Sequence, residues 1–218
     1  MHHLALYERD DAFAAAVDSA DAWTADGWPV KVLFGLVGRR VRRATGSDLC
    51  RDLVQKPQAL PGVRRIALIG ASAEAGERFG SLLDHADRAL VLTEHGRSAE
   101  WDAVLLTERL RKARPDLVVV AVTPPAGEIV AAALREAGLP AWVIGVGGGI
   151  DMVTGLQPHT PRILRRVGGE WLWRLVHDPR RLFRRYILQC LPVVVRAPAT
   201  VREVRRRPSD STPRRVLP

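Results

Sequence analysis

Arg65-Ile66-Ala67-Leu68-Ile69-Gly70-Ala71-Ser72-Ala73-Glu74-Ala75-Gly76 is a short apolar run that enters a glycine turn and then a helix-forming stretch. That order is the strand, turn and helix of a βα unit. Outward from it, residues 63–149 keep alternating β-branched runs with amphipathic stretches, the pattern of successive βαβ units on a mainly parallel sheet. The expected strands are Arg65–Ile69, 89–93, 117–122 and 141–146. The expected helices are 73–83, 101–113 and 127–137, the last with Ile129, Ala132, Ala133 and Ala137 on one face. Upstream, a helix over 11–19 places Phe13 and Val17 at i,i+4 and leads into Ala22-Trp23-Thr24-Ala25-Asp26-Gly27, a strand end and turn. The fold class is therefore α/β.

Composition narrows the function classes. The 218 residues suffice for an ordinary hydrophobic core, and 47% hydrophobic against 26% charged residues is globular. Cys50 and Cys190 are the only cysteines and form no C-x-x-C, so a disulfide framework and a four-ligand zinc site are both excluded. His85, His95 and His177 lack metal-ligand spacing and read as surface or packing residues; no metal site is expected. No apolar run approaches the roughly 18 residues of a bilayer span. The first residues lack the basic start and apolar stretch of a secretory signal, and a cytoplasmic location is expected.

Charge is unevenly distributed. The net +9 combines a segment from His159 onward, with 15 Arg against four acids, and a remainder at −2. Arginine forks suit phosphate and carboxylate oxygens, so the expected partners are anions. After Gly155 the β pattern stops, and Pro161 and Pro179 suit first-turn positions of short helices. Three segments result: an α/β domain over 1–158, an Arg- and Trp-rich helical appendage over 159–195, and a basic tail over 196–218 expected to be disordered.

Two glycine clusters could approach a ligand. Gly70-Ala71-Ser72 can hold a phosphate or nucleotide edge, or be a plain βα turn; Ser72 replaces the middle glycine of the dinucleotide fingerprint, and the P-loop lysine is absent. Gly145-Val146-Gly147-Gly148-Gly149-Ile150-Asp151 lies at a strand's C-terminal end, where open α/β sheets place ligands. Alternatively those glycines permit a tight turn, with Asp151 capping a helix. In the stretch 170–186, arginines alternate with Trp171, Trp173, Phe183 and Tyr186. Such a face suits an anionic bilayer surface. It also suits a solvated basic face with the indoles packed inward, while nucleic acid is the weakest reading because no recognition motif is present.

Taken in order, Val143-Ile144-Gly145-Val146-Gly147-Gly148-Gly149-Ile150-Asp151, Gly155, Pro161, Gly169-Glu170-Trp171-Leu172-Trp173-Arg174-Leu175 and Asp178-Pro179-Arg180-Arg181 to Arg184-Arg185-Tyr186 resemble the WecG/TagA/CpsF glycosyltransferase family. Thr24-Ala25-Asp26-Gly27 is similar to the family's Ala-Asp-Gly motif, and Val41 through Arg43-Ala44-Thr45-Gly46-Ser47-Asp48-Leu49 to its Arg-Val-Thr-Gly-x-Asp-Leu segment. The resemblance covers about residues 2–195. It implies a Rossmann-like domain whose helical appendage touches the inner face of the cell membrane and completes the active site.

The implied reaction is the inverting transfer of an N-acetylaminosugar, of N-acetylmannosamine or its uronic acid type, from a UDP-sugar to a polyprenyl-diphosphate-linked sugar in cell-surface polysaccharide synthesis. No metal or other cofactor is implied, and a homo-oligomer is compatible. Carried over by motif, Asp26 is the general base, and Arg174, Arg181 and Arg184 meet the donor diphosphate. Arg43, Asp48, Glu128, Gly147, Gly148 and Asp151 are further substrate-binding positions. Two departures stand out: Pro125-Ala126-Gly127-Glu128 occupies the place of a Pro-Lys-Gln-Glu motif, and His159-Thr160-Pro161 that of Arg-Ala-Pro. The family's first strand, with a Thr and an Asn lining the site, would precede His2. These departures leave a non-catalytic relative that binds a nucleotide or an anionic membrane as the competing expectation. A nicotinamide-dependent oxidoreductase rests on the βαβ pattern alone.

Overall fold

The structure is a computed structural model that describes residues 2–24, 32, 34–36, 44–157 and 215–216. Asp26, Arg43, the appendage with Arg174, Arg181 and Arg184, and all of the tail except Arg215 and Val216 lie outside the described residues. The chain divides into two compact units, one of residues 15–19 and 45–158, the other of residues 1–14, 20–44 and 159–218.

In the second of these, α1 (His2–Tyr7) precedes α2 (Asp11–Ser19), which begins where the Phe13 spacing placed it and runs across the division between the units. Asp10 Oδ1 accepts the Phe13 N–H at 2.9 Å, and the buried Phe13 ring meets His3 at a centroid distance of 5.7 Å. Farther on, β1 (Ala22–Trp23) pairs in parallel with Arg215–Val216, two residues of the segment expected to be a disordered tail.

The other unit contains the α/β domain. It opens with α3 (Gly46–Gln55), followed by β2 (Arg65–Ile69), α4 (Ala73–Asp84), β3 (Ala89–Glu94), α5 (Ala103–Ala113), β4 (Leu117–Val120), α6 (Ala126–Glu136), β5 (Trp142–Gly145) and α7 (Gly149–Val153). The four strands form one parallel sheet in the order β3-β2-β4-β5. This is a Rossmann-like arrangement, with helices on both faces.

Strand alternation explains why both faces are covered. In β2, Ile66 and Leu68 point into one core with Leu117 and Val119 of β4, sealed by Cys50, Leu53, Phe79, Leu83 and Ile150 from α3, α4 and α7. Ala67 and Ile69 point the other way with Val118 and Val120, sealed by Leu106, Leu110 and Leu134 from α5 and α6. A strand buried on both faces reads as a continuous apolar run, as Leu117-Val118-Val119-Val120 does. The chain leaves β2 toward β3 with its crossover helix on the first face, then returns past β2 to β4 and β5 with crossover helices on the second. Right-handed crossovers require that change of face when direction reverses. The reversal opens a crevice between the C-terminal ends of β2 and β4.

Boundaries differ from expectation by one to two residues, for local reasons. The helix expected from 101 begins at Ala103 because Asp102 Oδ1 accepts the N–H groups of Val104 and Leu105, at 2.8 and 3.0 Å. Trp101 instead donates its indole N–H to the His95 carbonyl at 2.9 Å. The strand expected over 117–122 ends at Val120, and the chain turns through Pro124 and Pro125 into α6.

At the opposite end of the sheet, Asp116 Oδ2 accepts the N–H groups of Arg64 and Arg65, both at 2.8 Å. The Arg65 guanidinium reciprocates by donating to the carbonyls of Arg114 at 2.9 Å and Ala113 at 2.6 Å. These bonds fix the entry of β2 beside that of β4. The two N–H donors hold the Asp116 carboxyl below its ordinary range, so its contribution to stability is present above about pH 4 and is lost as pH falls through the lowered value. Asp116→Ala is expected to cost about 1 kcal/mol at neutral pH, a modest figure because the site is partly solvated. Urea unfolding should show that difference at pH 7 and a progressively smaller one as the pH falls below about 4.

Candidate functional site

The crevice holds a cavity of 370 Å³, at the small end of the range for ligand pockets. Its β2 side is built by Gly70, Ala71, Ser72 and Glu74, and Ala121 closes it at the end of β4. Gly147, Ile150, Asp151, Leu156 and Gln157 form the side that follows β5. Both glycine clusters singled out in the sequence therefore meet in one place.

Each wall has a local cause. Gly70 adopts φ +92°, a left-handed conformation that L side chains rarely accept, and turns the chain sharply off β2. Ser72 caps α4, its Oγ accepting the Ala75 N–H at 3.2 Å. The residue that spoils the dinucleotide fingerprint thus starts the helix. Glu74, in the first turn of α4, receives a hydrogen bond from Arg78 Nη2 at 2.7 Å, and Arg78 Nη1 donates to the Thr154 carbonyl at 3.3 Å.

On the facing side, Gly147 takes φ +51° and Gly148 is the N-cap of α7. Asp151 is the third residue of that helix and makes no side-chain cap, so the capping role considered for it is not the one it has. Its partly buried carboxyl lines the cavity, and burial pushes its pKa up from the ordinary carboxylate range. Behind it, Gly155 at φ +75° turns the chain so that the Gln157 N–H donates to the Asp151 carbonyl at 2.9 Å.

Backbone contact seats α7. A Cβ on Gly149 would lie 2.8 Å from the Gly46 carbonyl carbon, and one on Gly46 would collide with the Val146 carbonyl. Only glycine at both positions lets α3 and α7 cross this closely. Asp48, expected to bind substrate, has its carboxylate engaged locally: Oδ2 accepts from Thr45 N at 3.2 Å and Thr45 Oγ1 at 2.8 Å in a capping box, and Oδ1 accepts from Arg51 at 3.1 Å. It organises the start of α3 beside α7. Neither Asp48 nor Glu128, which lies in the first turn of α6, is among the described cavity walls, and Gly148 stands just outside them. Gly127 has a packing reason of its own, since a Cβ there would sit 2.5 Å from the Val122 carbonyl oxygen. Any side chain at this position would require the backbone to shift.

Sequence reasoning did not single out Glu74, Leu156 or Gln157. Glu74 carried a signal, two residues after the Gly70-Ala71-Ser72 turn; Leu156 and Gln157 carried none, because they arrive through the Gly155 turn. Among the described residues no group of three or more His, Cys, Asp or Glu could hold a metal ion.

A parallel sheet that reverses direction, with a ligand-sized cavity at the reversal, defines a Rossmann-like α/β protein built to bind a small molecule. The chain belongs to the glycosyl transferase WecG/TagA/CpsF family, whose family model matches residues 1–209. It thus has a glycosyltransferase role, which implies a nucleotide-sugar donor and a sugar acceptor.

Two outcomes follow from this geometry. Gly149→Ala should lower stability by about 1–3 kcal/mol, the usual range for overpacking, whereas Gly148→Ala, with nothing within 4 Å of its Cβ position, should have little effect on the melting temperature. For Asp151, a folded pKa above the unfolded one means that stability falls as pH rises from about 4 through the raised value. Asp151→Asn should therefore melt at a higher temperature than wild type at pH 7 and at the same temperature near pH 3.

Proposed function

We propose that the protein is an inverting glycosyltransferase that moves an N-acetylaminosugar, of N-acetylmannosamine or its uronic acid type, from a UDP-sugar to a polyprenyl-diphosphate-linked sugar. The observation that carries this reading is the cavity between Gly70 and Asp151 at the sheet reversal, in a chain of this family. In the reaction, the acceptor hydroxyl oxygen attacks the anomeric carbon of the donor, the bond from that carbon to the diphosphate oxygen breaks, and UDP departs. Asp26 takes the hydroxyl proton. A positioned carboxylate within hydrogen-bond reach is suited to that transfer.

The departing diphosphate develops negative charge, and preorganised guanidinium groups can compensate it. Arg174, Arg181 and Arg184 are assigned that role, with Arg43 as an additional contact. The same arginine- and tryptophan-rich stretch is assigned to the anionic inner face of the cell membrane, where the lipid-linked acceptor resides. No described helix is long and apolar enough to cross a membrane, and peripheral attachment is compatible with that.

A second reading has one specific observation in its favour. Gly127 lacks the side chain that the related motif places there, and a relative that binds nucleotide without transferring sugar would tolerate that loss.

Incubating the protein with UDP-N-acetylmannosamine, or its uronic acid, and a short-chain lipid-diphosphate acceptor is expected to release UDP and to form a product inverted at the anomeric carbon. Asp26→Asn should reduce turnover by a factor of about 100 or more, on the order of a lost general base, while leaving UDP binding near wild type. UDP-dependent thermal stabilisation without transfer to the acceptor would select the non-catalytic reading.

A further inference from the structure

One wall of the cavity, Gly70-Ala71-Ser72, is tied to the chain leaving β3 by two hydrogen bonds. The Gly70 N–H donates to the Glu94 carbonyl at 2.8 Å, and the imidazole Nδ1 of His95 lies 2.9 Å from the Ala71 carbonyl oxygen. A carbonyl oxygen only accepts, so the proton of that bond sits on Nδ1. The bond forms whether the ring is neutral or charged, because both forms can carry a proton there. His95 is not itself among the described cavity walls, and the sequence presents it only as a surface or packing histidine.

We propose that His95 is a positioning residue for the reaction: its Nδ1–H holds the Ala71 carbonyl and so fixes the Ala71–Ser72 peptide in the cavity wall. The proposal rests on the nucleotide-sugar reading above, in which the donor lies against that wall.

The surrounding chain holds the ring in place. The indole N–H of Trp101 donates to the His95 carbonyl at 2.9 Å, and Gly96 at φ +95° turns the chain directly after it. Against α4, a Cβ at Gly76 would lie 3.1 Å from His95 Cε1, so the missing side chain there gives the ring its room. Glycine inside a helix is unfavourable relative to alanine, and Gly76 is buried within α4. A trans peptide points its N–H opposite to its C=O. With the Ala71 carbonyl drawn toward His95, the Ser72 N–H points away from it, and Ser72 both lines the cavity and caps α4. Without the imidazole donor, this peptide can rotate about ψ of Ala71 and φ of Ser72. Such a rotation changes the polar surface that a ligand meets while every cavity-lining side chain stays the same.

Two substitutions separate the donor from the ring. His95→Asn keeps an N–H near the place of Nδ1 and removes the ring, whereas His95→Phe keeps a ring against Gly76 and removes the donor; neither introduces a charge. The full chain is titrated with UDP by calorimetry, and the donor KM and kcat are measured for transfer to the lipid-diphosphate acceptor. His95→Phe and His95→Ala are expected to weaken UDP and raise the donor KM about fivefold, the scale of one hydrogen bond, with kcat within about twofold of wild type. His95→Asn is expected to restore both values. Asp116→Ala, which lowers stability at the opposite end of the sheet, is expected to leave the UDP affinity unchanged, and thermal melting shows that each variant is folded. In isotope-labelled protein without ligand, the Ser72 amide resonance is expected to move in His95→Phe and to return toward its wild-type position in His95→Asn. The proposal is overturned if His95→Asn is as weak as His95→Phe, or if His95→Phe equals wild type. It is overturned too if Asp116→Ala is as weak as His95→Phe, since affinity would then follow stability alone. A wild type that neither binds UDP nor transfers sugar sinks the nucleotide-sugar reading, while the Ser72 resonance still decides whether His95 holds the peptide.

Discussion

Gly46 and Gly149 come so close that a single methyl group on Gly149 would meet the Gly46 carbonyl carbon at 2.8 Å. Everything on the far side of the cavity depends on this approach. The helix that carries Asp151 is five residues long, too short to be stable alone, since helix formation is costly until several turns propagate. It is held by α3 at its start and by Arg78 at its end. Thr45 and Asp48 fix the first turn of α3 through the capping box, so a cap, a glycine and a carboxylate from one short stretch of sequence together hold a second helix in place. Asp48 thereby acts at one remove from the cavity.

The sheet reversal provides the other half of the site. Because β4 lies on the opposite side of β2 from β3, the loops leaving β2 and β4 diverge, and the space between them is not filled by a crossover helix. Gly70 at φ +92° and the β5–α7 turn at Gly147 then border the opening. Asp116 performs a complementary function at the other end, tying the entries of β2 and β4 together with no part in the cavity. One end of this strand pair is locked and the other is left open. This division between a stabilising end and a ligand end is common to open parallel sheets.

The raised pKa of Asp151 expresses the same tension at one residue. A carboxyl on a partly buried wall costs stability at neutral pH, and such groups tend to persist where a ligand compensates them. Glu74 differs, since it is exposed and paired with Arg78, so its charge is already partly neutralised.

Strand and helix order in 65–145 was legible because each element has its own period. Leu117-Val118-Val119-Val120 reads as a strand buried on both sides, and the Gly70 and Gly147 turns mark where strands end. The family motifs were legible too, and they put Gly147 and Asp151 in one turn, both of which line the cavity, without saying what faced them. What the sequence could not supply is the order β3-β2-β4-β5, which arises from the face each crossover helix takes and which alone brings Gly70 opposite Asp151. Nor could it show that Asp48 is engaged in a cap, or that Gly46, Gly127 and Gly149 are there for backbone contact, because a glycine that permits a turn and one that permits a close approach are spelled alike. Periodicity is a local property of the chain, whereas the distance between two backbones is set only when distant segments meet.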